Sequence, residues 1–257
     1  MYQVTPIPAF QDNYIWLIHS PESNQVAVVD PGDAAPVEAY LRAHNLQLTA
    51  ILITHHHPDH TGGVSSLTDT RIVPVYGPDN SPFKGINQPL RDGDHISLFG
   101  HALQIKATPG HTLDHICYFK PGAVPQLFCG DTLFLAGCGR LFEGTPEQML
   151  TAMNYFQHLP EQTEVYCTHE YSMANLKFAT AVEPNNNAIH TITEHCDELR
   201  QQDQPTLPSH VITEQQINPF MRTAETDVIK AAEQFTGQTG LSQVEVFAAI
   251  REWKNQF

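Results

Sequence analysis

Short apolar runs broken by polar turns occupy the first two thirds of this chain, and helix-period patterns replace them afterwards. Val26-Ala27-Val28-Val29 stops at Asp30-Pro31-Gly32 and predicts a buried strand closed by a turn, after which residues 35–45 carry the spacing of an amphipathic helix. Ala50-Ile51-Leu52-Ile53 predicts the next strand. Residues 102–106 alternate apolar and polar side chains before Thr108-Pro109-Gly110-His111-Thr112 turns the chain. Residues 126–129 lead into Gly130-Asp131-Thr132, and residues 164–167 into Thr168-His169-Glu170. Thr145-Pro146-Glu147-Gln148 has the features of a capping box with proline in the first turn, and predicts a helix to about Leu159. From Ser172 the pattern predicts helices over 173–181, 188–202, 225–236 and 243–254, separated by Pro184-Asn185-Asn186-Asn187 and by residues 205–208. A domain change near residue 172 follows, dividing the chain into 1–172, of mixed α/β character, and 173–257, which is helical.

The strand ends carry the candidate chemistry. Directly after the 50–53 strand, Thr54-His55-His56-His57-Pro58-Asp59-His60 places four metal-ligand side chains within six residues. Imidazole and carboxylate suit zinc, iron or manganese. His55 and His57 face the same way on an extended backbone, whereas Pro58 bends the path and sends Asp59 and His60 toward a neighbouring point. His111, Asp131 and His169 follow other strands. Each alone reads as a turn residue or a cap, but strand ends lie side by side along a sheet edge, so the recurrence of ligand types points to one shared site. Ligand counting suggests two metals: His55, His57 and His111 for one, Asp59, His60 and His169 for the other, and Asp131 bridging through its two carboxylate oxygens. Two divalent ions, zinc first and iron or manganese by the same donors, supply a bridging hydroxide at neutral pH without a serine or cysteine nucleophile. Asp131 and Asp59, the latter also orienting that hydroxide, are therefore catalytic candidates. His56, flanked by ligands, is expected to face the other way, and Asp30, Asp114 and His115 are candidates to steady ligand imidazoles.

Composition narrows the partners. Thirteen basic against 28 acidic residues give a net charge of −15, which argues against nucleic acid or an anionic membrane surface. The first residues show neither a basic nor an apolar signal region, and no stretch is long enough to span a membrane. The five cysteines, at 117, 129, 138, 167 and 196, are odd in number and widely spaced, so neither a disulfide framework nor a thiolate metal site is expected. These features describe a cytoplasmic protein, with a monomer as the default.

The H-x-H-x-D-H motif at His55, His57, Asp59 and His60, with the later His111, Asp131 and His169, resembles the metallo-β-lactamase superfamily. That resemblance implies an αββα sandwich and hydrolase chemistry, but relatives act on β-lactams, lactones, thioesters and RNA, and some oxidise persulfides. Finer features are more specific. Ala136-Gly137-Cys138-Gly139-Arg140-Leu141-Phe142-Glu143-Gly144-Thr145, Thr168-His169-Glu170-Tyr171, Asn175-Leu176-Lys177-Phe178-Ala179, Asn218-Pro219-Phe220-Met221-Arg222 and Arg251-Glu252-Trp253-Lys254-Asn255-Gln256-Phe257 resemble the glyoxalase II, or hydroxyacylglutathione hydrolase, family nearly end to end. The resemblance implies cleavage of S-D-lactoylglutathione, an S-2-hydroxyacylglutathione, to glutathione and D-lactate, the second step of methylglyoxal detoxification. It makes 1–172 a metal-binding catalytic domain and 173–257 a glutathione-binding domain. It further implies that Tyr171, Arg251 and Lys254 contact glutathione. Arg140 stands where many members have lysine and keeps the charge, and Phe142 stands where they have tyrosine and lacks its hydroxyl.

On spacing alone, Arg251 and Lys254 are cations offsetting the dipole of a helix opened by the Ser242-Gln243-Val244-Glu245 capping box. Only the resemblance makes them substrate contacts, although the two carboxylates of glutathione do call for a local basic patch on so acidic a protein. Two other readings compete. A mononuclear iron persulfide dioxygenase needs a single three-ligand metal, and a non-catalytic metal-binding module needs no substrate site.

Overall fold

The computed structural model describes residues 2–20 and 22–257, and the chain forms two compact units. The first runs to Thr108 and resumes over Asp114–Gly130; the second takes Pro109–Leu113 and Asp131–Phe257.

The first unit is built on two sheets. β1 (Gln3–Ala9), β2 (Asn13–His19) and β3 (Gln25–Val29) are successively antiparallel, and α1 (Ala34–His44) then returns the chain so that β4 (Gln47–Leu52) lies parallel to β3. After the single turn α2 (Pro58–Thr61) and the short α3 (Val64–Thr68), β5 (Val75–Pro78) and β6 (Gln88–Leu90) extend the sheet in parallel. The second sheet of this unit is antiparallel: β7 (His95–Leu98), β8 (His101–Ala107), β9 (Ile116–Lys120) and β10 (Gln126–Gly130) lie in sequence order.

The first sheet's near-continuous apolar strands reflect burial on both faces. Ile15, Leu17, Val26, Val28, Ile51 and Ile53 pack in one cluster with Val37 and Leu41 of α1 and Val64 and Leu67 of α3. The alternate residues Trp16, Ile18, Ala27, Val29 and Leu52 are buried too. The sheets of this unit are tied together by Tyr118 Oη, which donates to Ile53 O at 2.8 Å, and by Ile116 N, which donates to Thr54 O at 2.9 Å. The predicted α1 begins where Asp33 Oδ1 accepts from Ala35 N at 2.9 Å and ends at Asn45, whose φ of 51° stops the helix.

The second unit opens on a small hairpin of β11 (Leu133–Phe134) and β12 (Gly137–Cys138). α4 (Pro146–Gln157), β13 (Glu164–Cys167), α5 (Ser172–Val182) and α6 (Asn187–Gln201) follow. β14 (Ser209–His210) pairs antiparallel with β13, and α7 (Val211–Ile217), α8 (Thr226–Thr236) and α9 (Gln243–Gln256) complete the chain. Both predicted capping boxes form, Thr145 with Gln148 and Ser242 with Glu245. α4 ends at Gln157, two residues before the expected Leu159, because the chain turns at His158. Aromatic side chains fill the helical core: Phe178 meets Trp253 edge-on at 5.3 Å and Phe220 meets Phe247 at 5.5 Å. All five cysteines are free thiols and buried. Among the described residues no helix is long and apolar enough to cross a membrane.

Candidate functional site

In the first unit the donors gather just beyond β4. His55 Nε2 and His57 Nδ1 lie 3.0 Å apart, so the two residues face one point as their spacing predicts. Their environment determines which ring nitrogens are available. Asp30, buried at the end of β3, accepts from Thr54 N at 2.8 Å and from Thr54 Oγ1 at 2.7 Å. With its one proton given to Asp30, the Thr54 hydroxyl accepts from His55 Nδ1 at 3.0 Å, which leaves His55 Nε2 with its lone pair. Asp30 Oδ2 also lies 3.0 Å from Nδ1 of the buried His60. Asp59 Oδ2 accepts from Asn13 Nδ2 at 3.1 Å and sits 3.5 Å from His60 Nε2.

The candidate supports divide in this unit. His115 stacks on His55 at 4.8 Å and keeps its Nδ1 3.1 Å from Thr108 Oγ1. Asp114 pairs at 2.9 Å with His56 Nδ1, so it braces the histidine expected to face away. Two glycines permit the close packing. A Cβ on Gly32 would lie 1.8 Å from Asp59 O, and one on Gly130, at φ +49°, would lie 2.4 Å from Thr54 Oγ1. Asn13 and Thr54 were not singled out by the sequence reading. Thr54 had the signal of standing beside the histidine run; Asn13 had none.

In the second unit His111 Nε2 and His169 Nε2 lie 3.5 and 3.3 Å from the same oxygen, Asp131 Oδ2, and all three residues are buried. His111 Nδ1 donates to Arg140 O at 2.8 Å; a carbonyl only accepts, so the proton is fixed on Nδ1 and the lone pair lies on Nε2. His169 stacks on Tyr171 with ring centroids 4.6 Å apart. Phe142, exposed, stands edge-on to His111 at 5.2 Å.

The predicted substrate contacts also fall in the second unit, in differing settings. Arg140 is exposed. Arg251 is buried, donates to Cys138 O at 2.8 Å and lies over the Phe220 ring at 5.0 Å. Lys254 Nζ donates to Ala174 O at 2.9 Å and lies 5.2 Å from the centre of the Phe178 ring. Burial first, then repulsion by Arg251, partly offset by Cys138, and lastly repulsion by Arg140 and Lys177 lower the Lys254 ammonium to about 8. Lys177 was not singled out by the sequence reading; it is exposed on α5, with its Nζ 5.4 Å from the centre of the Phe257 ring.

Comparison with known proteins matches two successive stretches of the chain. Residues 10–169 match the model of the metallo-beta-lactamase superfamily, and residues 170–257 match that of the hydroxyacylglutathione hydrolase C-terminus. The chain is 50% identical to the hydroxyacylglutathione hydrolase of Pseudomonas aeruginosa over 100% of both chains. It is 49% identical to that of Vibrio cholerae, again over 100% of both. Among solved structures, ETHE1 from Myxococcus xanthus superimposes with a TM-score of 0.65 at 21% identity, over 99% of this chain and 98% of that one, which is a likeness of fold. The expected metallo-beta-lactamase fold with a C-terminal helical region is thus present. Imidazoles whose second nitrogen is already engaged, set beside carboxylate oxygens, fit a divalent ion, and together with the superfamily match they support divalent-metal use.

Thr54→Val preserves shape and breaks the chain from Asp30 to His55. Metal affinity, measured by competition with a chromophoric chelator, should fall by about 10- to 100-fold; an unchanged affinity would refute the role of the threonine.

Proposed function

The chain belongs to the hydroxyacylglutathione hydrolase family of the metallo-beta-lactamase superfamily, and from that premise we propose that it hydrolyses S-D-lactoylglutathione, an S-2-hydroxyacylglutathione, to glutathione and D-lactate, in methylglyoxal detoxification. One physical observation carries this reading beyond the family relation. On a chain of net charge −15, Lys254 interacts electrostatically with Arg251, Arg140 and Lys177, within the same unit as His111, Asp131 and His169. A substrate with two carboxylates accounts for such a basic patch.

We assign residues 1–172 to the catalytic domain and 173–257 to the helical glutathione-binding domain. Two divalent ions, zinc first with iron or manganese as alternatives, are assigned to His55, His57 and His111 and to Asp59, His60 and His169, with Asp131 shared between them, because imidazole and carboxylate donors suit these metals. When bound, such a pair supplies Lewis acidity and a hydroxide at neutral pH.

The chain's own residues complete the site. Thr54 and the Arg140 carbonyl keep protons on the far nitrogens of His55 and His111, and Asp30 places its carboxylate 3.0 Å from His60 Nδ1. Asn13 steadies the Asp59 carboxylate. Arg140, Arg251 and Lys254 attract the glutathione carboxylates, and Tyr171 offers a ring edge and a hydroxyl beside His169. Phe142 presents only an apolar surface. The departing thiol has an ordinary pKa near 8.5, so the thiolate leaves without a strong general acid. We place the protein in the cytoplasm as a monomer acting on a small thioester, with no nucleic-acid or membrane partner.

The direct test is thiol release from S-D-lactoylglutathione, with metal content determined on the same sample. Rapid turnover with about two metals per chain is expected. Absence of turnover at full occupancy would overturn the substrate, and one iron with oxygen-dependent persulfide consumption would favour the dioxygenase.

Arg251→Ala combined with Lys254→Ala should raise KM by about tenfold or more while leaving metal content intact, because charge-assisted contacts contribute about 1.5–3 kcal/mol. An unchanged KM would remove both residues from the substrate site. A pH effect follows from the lowered Lys254. Below about 8 its ammonium is charged and attracts a carboxylate; above that value the free enzyme loses the charge, so kcat/KM should fall as pH rises through 8. Lys254→Arg, charged throughout, should flatten that limb, and an identical profile in the variant would exclude the lysine as its source.

A further inference from the structure

We propose that Glu214 of α7 and Asn218 just after it, with Asn175 of α5, are positioning residues for the hydrolysis: they clamp residues 131–140 so that the Asp131 carboxylate, the carbonyl orienting His111 and the carbonyl seating Arg251 are held as one piece. The proposal rests on the thioesterase reading and extends it to residues that touch neither donors nor substrate.

The clamped segment cannot hold its own shape. β11 and β12 pair through only Leu133 with Cys138 and Phe134 with Gly137, far short of a self-supporting hairpin. Ala136 in the turn between them has a φ of +52°, an unfavourable conformation for alanine. The inward backbone groups are nevertheless matched by side chains. Asn218 Nδ2 donates to Phe134 O at 3.1 Å and to Gly137 O at 3.0 Å, and Asn175 Nδ2 donates to Leu135 O at 3.0 Å. Ala136 N donates to Glu214 Oε2 at 2.9 Å.

The clamp is itself braced. Glu214 Oε2 accepts from Asn218 Nδ2 at 2.9 Å, Ser209 Oγ donates to the other carboxylate oxygen, and Asn218 Oδ1 accepts from Phe220 N at 3.0 Å. Glu214 and Asn218 are fully buried, and Asn175 nearly so. A Cβ at Gly137 would come within 2.5 Å of Asn175 Nδ2, so the backbone and the clamp are in direct contact.

What the segment carries makes this geometry consequential. Asp131 begins it. Gly139 N donates to Thr132 O at 3.2 Å, and a Cβ on Gly139 would lie 2.0 Å from Asp131 O, so the two ends touch. Cys138 O seats Arg251 and Arg140 O orients His111. A shift of the hairpin therefore disturbs a proposed ligand carboxylate, a ligand imidazole and a substrate cation together. Burying a carboxyl here is expensive, and desolvation pushes Glu214 up to about 7. Apolar packing stabilises at less cost than a buried polar network, whereas the network specifies one arrangement of the backbone.

The test compares Asn218→Ala with Arg251→Ala, assayed well below their melting temperatures. Asn218→Ala should lower kcat and raise KM together, each by about tenfold or more, since small misplacements of reacting groups carry large rate losses. Arg251→Ala should raise KM alone. Amide exchange over 133–139 and chelator competition for metal, both measured without substrate, should show faster exchange and weaker metal binding in Asn218→Ala. If that variant does not fold, Asn175→Ala, which removes one of the bonds, should show the same signature at about threefold.

A lowered melting temperature with unchanged kcat, KM and metal affinity would overturn the proposal by reducing these residues to stabilisers. Absence of thioesterase activity in the parent protein would instead sink the substrate reading. In that case the exchange and metal measurements still decide whether the clamp positions Asp131.

Discussion

The Asp30 carboxylate takes two hydrogen bonds from Thr54 and faces His60 Nδ1 at 3.0 Å, and through Thr54 it determines which nitrogen of His55 keeps a lone pair. An imidazole protonated on the wrong nitrogen cannot ligate, so every later step depends on this choice. The constraint also accounts for the local backbone. Asp30 occupies a left-handed conformation at φ +52°, and Gly32 passes Asp59 where no Cβ would fit. These departures from ordinary geometry bring an anion behind His55 and His60.

The second unit solves the same problem with a backbone carbonyl. Arg140 O holds the Nδ1 proton of His111, so the ring is oriented without another buried charge. That solution transfers the demand for precision to the 131–140 backbone, and it explains why a hairpin of only two residue pairs sits among three buried amide and carboxyl side chains. The same segment seats Arg251, whose guanidinium also lies over the Phe220 ring. In this unit one backbone segment holds both the His111 imidazole and the Arg251 guanidinium.

Charge has two scales in this protein. Overall it is strongly acidic, yet the mutual repulsion of Arg140, Lys177, Arg251 and Lys254 helps to lower the Lys254 ammonium. Cations are held together against repulsion and desolvation only where the fold imposes it, and a bound carboxylate relieves both. Tyr171, in the same unit, stacks on His169.

Local features were legible in the sequence. The β3 and β4 runs, α1, the two capping boxes and the donors after each strand were readable because strand period, cap chemistry and ligand type are properties of neighbouring residues. The hairpin β11–β12, α7 and β14 escaped, being too short to show a period. Asn218 joins Phe134 across 84 residues, and Arg251 joins Cys138 across 113, so no window of sequence contains either contact. The sequence by itself determined the donor set, its spacing and the family. Only the tertiary structure decided which nitrogens of His55 and His111 carry the proton, what braces the segment after Asp131, and that Lys254 is easier to deprotonate than an ordinary lysine, because tautomer, backbone position and desolvation are set by partners that folding brings from distant parts of the chain.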